Sequence, residues 1–132
     1  MKVAFATTDG INVDEHFGRS GKFSVYDITL DGFDFVEERK FADGRDTAVE
    51  ETRGNELEHD NVMRSKVESL ADCKIVFFTN IGPPSAARLV NKGLMPIKVK
   101  EVVPIERELQ KLLDTINNAP PPWLKRAVSN GR

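Results

Sequence analysis

The run Ile75-Val76-Phe77-Phe78-Thr79 constrains this chain more than any other stretch. Consecutive apolar residues leave neither face of a strand polar, so this strand must be covered on both sides. The residues that follow can supply that cover. Asn80–Ser85 (NIGPPS) is a tight turn whose proline pair suits a helix start, and Ala86, Ala87, Leu89 and Val90 continue the helix to a stop at Gly93. Met95–Val99 is then a further strand, expected at an edge because Pro96 cannot donate to a ladder. Pro104 opens a last helix, in which Ile105, Leu109, Leu112, Leu113 and Ile116 fall on one face and Asn117-Asn118 ends the pattern. Strand and helix alternate, which implies parallel strands joined by right-handed crossovers.

The first part of the chain reads differently. Lys2–Thr8 is a short buried strand ending at Asp9-Gly10, and residues 9–21 (DGINVDEHFGRSG) form a long loop punctuated by three glycines. Lys22–Leu30 alternates, with Phe23, Val25 and Asp27 on one face and Tyr26 and Ile28 on the other. Asp31-Gly32 offers the chemistry of a two-residue hairpin turn, and Phe33–Phe41 returns. A helix over Leu57–Ala71 follows, its stripe formed by Val62, Met63, Val67, Leu70 and Ala71. The expectation is an α/β domain over residues 1–118, with one mixed five-stranded sheet flanked by helices in the order β-ββ-α-β-α-β-α. Residues 119–132 form a tail containing Pro120-Pro121-Pro122-Trp123-Leu124, with Trp123 either docked onto the body or exposed as an anchor for a partner.

Composition narrows the chemistry. A length of 132 residues suits one domain with a real core. The formal net charge of −2 gives no strong pull toward nucleic acid. A single cysteine excludes an internal disulfide and cannot supply the four thiolates of an ordinary iron–sulfur cluster, so a reducing cytoplasm is the expected compartment. No apolar run approaches the length of about 20 residues that spans a bilayer. Charge is uneven: residues 42–60 hold seven acids against two arginines, read as a solvated stretch, whereas residues 85–132 hold nine Lys/Arg against four acids. No Gly-rich dinucleotide fingerprint, phosphate loop, nucleophile elbow or zinc-protease motif is present. A metal-dependent nuclease needs clustered carboxylates, and the two carboxylates of Asp9 and Asp27 make a thin site.

The loop at residues 9–21 carries the chemistry. It follows a strand, and open α/β sheets place ligand sites at strand C-terminal ends. His16 offers an imidazole for a borderline metal such as iron. Gly18 and Gly21 permit close backbone approach to a ligand, and Arg19 and Lys22 can balance an anionic one. Residue types alone are equally consistent with a capped loop carrying a surface histidine. Cys73, between a helix and a buried strand, has the setting of a small core residue. His59, at the acidic helix entry, reads as a surface histidine paired with nearby acids.

Three separated segments resemble the nitrogenase iron–molybdenum cofactor carrier family, which includes NifX, NafY and the C-terminal domain of NifB. The first is Lys2–Gly10 with Val13, His16-Phe17-Gly18, Phe23 and Tyr26. The second is Ala71–Val76 with Ile81-Gly82 and Ala86–Leu89. The third is Pro120–Leu124, similar to the tail of the NifX branch. Pro83-Pro84 departs from the pattern, since many members carry another glycine there. The resemblance implies a ribonuclease-H-like fold and a non-enzymatic cytoplasmic role. In that role the protein binds the iron–molybdenum cofactor or its iron–sulfur precursor transiently and passes it between cofactor-assembly proteins. The resemblance also implies His16 as the cluster ligand, with Gly18 and Arg19 beside it and Cys73 as a second metal ligand. A carrier with few ligands can hold a cluster that another protein built without extracting its iron. The competing expectation is a chaperone that binds cofactor-free nitrogenase component and carries no cluster. A ribonuclease-H-like nuclease is the remote one. Neither nucleic acid nor membrane is an expected partner.

Overall fold

A computed structural model describes residues 1–41 and 56–130, without the side chains of residues 56–62 and 129–130. Residues 42–55, which hold most of the acidic stretch, and the side chain of His59 lie outside the described residues. Among the described residues no helix is long and apolar enough to cross a membrane.

The elements run β1 (Lys2–Ala6), β2 (Asn12–Val13), β3 (Lys22–Thr29), β4 (Gly32–Lys40), α1 (Glu56–Ser69), β5 (Ile75–Phe78), α2 (Pro83–Asn91), β6 (Met95–Lys98), β7 (Val103–Pro104), α3 (Ile105–Asn118) and α4 (Pro122–Asn130). The main sheet has five strands in the order β4-β3-β1-β5-β6. β1 pairs antiparallel with β3 and parallel with β5, β3 pairs antiparallel with β4, and β5 pairs parallel with β6. The expected mixed five-stranded α/β sheet is therefore present.

All four residues of β5 are buried, because the sheet has a core on each face. Val3, Phe5, Ile28, Ile75 and Phe77 face one core with Ile105, Leu109 and Ile116 of α3. Ala4, Ala6, Phe23, Val25, Val76 and Phe78 face the other with Val67 and Leu70 of α1 and Leu89 of α2. Adjacent residues of β1 and β5 thus bury into opposite layers, as the period of two requires. Phe5 and Phe77 stack at 4.7 Å between ring centroids in the first layer.

Pro96 lies on an edge strand, as expected. Met95 N–H donates to the Lys74 carbonyl and Val99 N–H to the Phe78 carbonyl, so alternate residues of β6 point their amides inward. Pro96 falls at an outward position, where a missing N–H costs the sheet nothing and blunts the edge. Gly93 ends α2 at φ 88°, a left-handed position that favours glycine.

Three features differ from expectation. The hairpin pairs Thr29 with Gly32, so Leu30 and Asp31 form the turn and Gly32 is already in β4. β2 and β7 add a small two-stranded sheet, pairing Asn12 with Pro104 and Val13 with Val103. Two-residue strands carry no periodicity for a sequence to display. The tail is a helix: Pro122 sits in the first turn of α4, where its missing N–H is harmless, and Leu124, Ala127 and Val128 pack into the α3 layer with Trp123 against them. Trp123 is docked.

Candidate functional site

The loop between β1 and β3 is held at the C-terminal end of the sheet by bonds at both of its shoulders. Asp9 begins it. One Asp9 carboxylate oxygen accepts the Ile11 and Asn12 amides at 2.8 and 2.9 Å. These backbone hydrogen bonds, Asn12's and then Ile11's, hold its carboxyl well below the usual carboxylate range. Gly10 takes φ 76° within that turn. The β2–β7 pairing and the Ile105 N–H bond to the Ile11 carbonyl (2.8 Å) then tie the loop to the start of α3. Asp14 reaches back to the Thr8 amide (2.8 Å) and hydroxyl (2.6 Å). Asp9 and Asp14 are thus occupied as braces of the loop.

The second half of the loop lies along the end of β5. Thr79 N–H donates to the Glu15 carbonyl at 3.0 Å, and Phe17 N–H donates to the Asn80 carbonyl at 2.8 Å. The His16 carbonyl accepts the amides of Arg19 and Ser20 at 3.2 and 3.0 Å, closing a single turn over residues 16–20. Phe17 is driven inward and is fully buried against Phe23 and Phe78. His16 and Arg19, on either side of this anchor, are exposed. Among the described residues neither side chain has a partner.

One residue beneath this turn is not among the expected site residues. Lys66 of α1 is 1% exposed, and its Nζ donates to the carbonyls of Phe17 (3.2 Å), Gly18 (3.2 Å) and Ser20 (2.9 Å). Three acceptors match the three N–H donors of an ammonium. The rings of Phe17, Phe23 and Phe41 surround it at 5.7 to 5.9 Å. The sequence held a signal for it. Lys66 stands between Met63, Val67 and Leu70 on the apolar stripe of its helix, where a lysine needs an internal partner.

Gly18 lies in the His16 turn, where an added Cβ would sit 3.5 Å from Met63 Sδ, an ordinary contact. Lys22 reaches Glu38 at 3.6 Å rather than standing as an unpaired cation. Pro83 and Pro84 occupy the first turn of α2, just beyond the Asn80 carbonyl that anchors the loop. They remove two of the amides that a helix N-terminus would otherwise offer an anion.

Cys73 is elsewhere. It precedes β5, whereas the His16 turn contacts residues that follow β5. Six residues along the strand direction separate it from Thr79, roughly 20 Å at the rise of a β-strand. Its thiol is 1% exposed and lies 3.8 Å from Asp72 Oδ1. Burial, with the Asp72 charge adding to it, pushes the thiol up to about 12. Asp72 itself receives a bidentate pair of bonds from Arg39 at 2.7 and 2.8 Å, and Arg39 also donates to the Ser69 carbonyl at 2.8 Å. This clamp joins β4 to the end of α1. The structure therefore brings His16, Gly18 and Arg19 together and leaves Cys73 in the core at the far end of the sheet. Among the described residues no three His, Cys, Asp or Glu side chains group as a metal site.

Residues 1–115 match the family model described as dinitrogenase iron–molybdenum cofactor. The chain is 36% identical to protein NifX of Sinorhizobium fredii over 98% of its own length and 78% of that protein. It is 37% identical to protein NifX of Rhodobacter capsulatus, covering 97% of this chain and 77% of the other. Protein NifY of Azotobacter vinelandii is 28% identical over 97% of this chain but only 48% of its own length. In fold the chain is similar to the crystal structure of PH0822, with a TM-score of 0.62 at 19% identity over 86% of this chain and 90% of that one. By the match of residues 1–115 and the likeness to NifX proteins along nearly its whole length, the chain belongs to the dinitrogenase iron–molybdenum cofactor family and stands with its NifX members.

Proposed function

We propose that this protein acts in nitrogenase cofactor biosynthesis as a non-catalytic carrier, holding the iron–molybdenum cofactor or its iron–sulfur precursor through His16 between a donor and an acceptor assembly protein. The observation that carries this reading is the turn at residues 16–20. Its backbone is fixed from β5 and from Lys66, while His16 and Arg19 stand exposed and without a partner among the described residues. Such a turn offers one imidazole to iron and one guanidinium to an anionic cluster, on a scaffold that does not need to reorganise. A single protein ligand also suits release, because a closed thiolate cage would retain the cargo. Cys73 has no place in this reading, since its thiol is buried far from the turn. The finer, ribonuclease-H-like description of the fold belongs to the same proposal. The order of the main strands supports it, with the first three as antiparallel neighbours and the last two parallel to the first.

Anaerobic loading tests the proposal. Purified protein incubated with precursor cluster and desalted is expected to be brown, to contain iron and acid-labile sulfide, and to give up both to an acceptor assembly protein. A protein that stays colourless yet binds cofactor-free nitrogenase component contradicts the carrier reading and supports a chaperone.

A further inference from the structure

We propose that the groove between the end of α2, the start of β6 and α4 docks an acidic, apolar segment of a partner protein. The proposal stands apart from the carrier reading. Lys74 precedes β5 and Met95 begins the parallel strand β6, so the groove lies at the opposite end of the sheet from the His16 turn.

Three elements and one strand entry build the groove. Val90 comes from α2, Met95 from β6, Trp123 and Arg126 from α4, and Lys74 from the entry to β5; the cavity between them holds about 520 Å³. Its walls are fixed. Met95 N–H donates to the Lys74 carbonyl at 2.8 Å, and Gly93 N–H donates to the Val90 carbonyl at 3.0 Å. Trp123 is half-buried and rests on the α3 layer. Val90 is 59% exposed and Met95 37% exposed, so the apolar surface continues beyond the cavity onto the outside of the protein. A surface of that extent suits a chain segment, and Trp, Met and Arg are residue types that protein interfaces concentrate. A preformed groove also spares the partner the cost of ordering it.

Charge selects the occupant. Lys2, Lys22, Arg39, Lys92 and Lys111 each meet a carboxylate within 4.0 Å. Lys74 and Arg126 are exposed and meet none among the described residues, and no described acid lines the groove. Carboxylates on an incoming segment would complete both cations, whereas a basic segment would be repelled. A second copy facing the groove across a two-fold axis would set four cations around one apolar contact with no acid to offset them.

Trp123 is the only tryptophan in the chain, so its fluorescence reports on the groove. The probe is a synthetic amphipathic peptide of Leu and Glu, with a control peptide in which Lys replaces every Glu. The acidic peptide is expected to shift Trp123 emission to the blue, to saturate, and to bind less tightly as salt rises from about 50 to about 500 mM. Lys74→Glu combined with Arg126→Glu is expected to weaken that binding by about tenfold and to admit the basic peptide. Val90→Ser, a change on exposed surface, is expected to weaken it by about fivefold at an unchanged urea midpoint. An emission that does not move, equal binding of the acidic and basic peptides, or a doubly reversed variant that binds the acidic peptide like wild type overturns the proposal. So does a blue shift that appears on concentrating the protein alone, which would assign the groove to a second copy. If the doubly reversed variant does not fold, the comparison of the two peptides on wild type decides alone.

Discussion

The two ends of the parallel strands in this protein handle polar chemistry in opposite ways. At the C-terminal end, the His16 turn uses its backbone for rigidity and leaves two side chains outside. At the N-terminal end, Asp72 and Arg39 consume one another, Lys2 adds a third contact at 3.3 Å, and Cys73 is sealed behind them. A carboxylate, a guanidinium and a thiol brought together by the fold resemble a reactive site. Here they form a clamp. The histidine turn is the part whose side chains remain unsatisfied. Unpartnered groups on a fixed backbone, rather than the number of metal-capable residues, distinguish a place for cargo from a structural joint.

Substitutions at each end put this contrast at risk. The largest effect is expected from Lys66→Met, which leaves the Phe17, Gly18 and Ser20 carbonyls without their shared donor. Urea unfolding should show a loss of about 4 kcal/mol, reduced if water reaches the partly buried Gly18 carbonyl. Next comes Leu124→Ala at the opposite end, where α4 packs on the core and Trp123 lies near Lys74 around a cavity of about 520 Å³. Removing this buried side chain should cost about 3 kcal/mol and leave cluster loading at the His16 turn unchanged. A loss of loading in Leu124→Ala with the fold intact would show that the two ends are not independent.

Asp72→Asn should have a smaller effect with a distinct pH signature. Hydrogen bonds from Arg39 hold the Asp72 carboxyl well below its usual range. A lowered folded value stabilises above the ordinary carboxylate range, near pH 4, and that contribution disappears as pH falls through the lowered value. The variant should lose about 1 kcal/mol at neutral pH, since the Asp72 side chain is 45% exposed and solvent screens the pair. It should also show a shallower loss of stability on acidification than wild type. An unchanged acid profile in Asp72→Asn would assign the acid sensitivity elsewhere. Cys73→Ala is expected to cost a similar amount, about 1 kcal/mol, because the residue removed is a small one. In the native wild type the thiol, pushed up to about 12, should resist iodoacetamide at pH 8 and react only once urea unfolds the chain.

The sheet was legible because its signals are local. The apolar run of β5 reports a strand covered twice, Pro96 reports an edge, and the alternation of Phe23, Val25, Tyr26 and Ile28 sorts β3 between two cores. The hairpin turn shifted by one residue, since Leu30-Asp31 and Asp31-Gly32 are both compatible with a tight connection and strand pairing selects between them. α4 was missed because three prolines suggest an extended tail. Its helical signal was the spacing of Leu124, Ala127 and Val128. In the loop, His16, Gly18 and Arg19 could be picked out by residue type, yet what holds them could not. The partner of the turn is Lys66, 46 to 49 residues away along the chain, and no local pattern links the two. Cys73 shows the converse. Its place between a helix and a buried strand reads as core while the family resemblance reads as metal, and the direction of β5 puts it at the opposite end of the sheet from the His16 turn.

Assignment of the cargo to the His16 turn is decided by anaerobic loading of His16→Ala and Cys73→Ala side by side with wild type, read as iron and sulfide per chain. Cys73→Ala is predicted to load like wild type, and His16→Ala to lose the cluster while unfolding at an unchanged urea concentration. A His16→Ala protein that retains the cluster, or a Cys73→Ala protein that loses it while folded, would contradict that assignment.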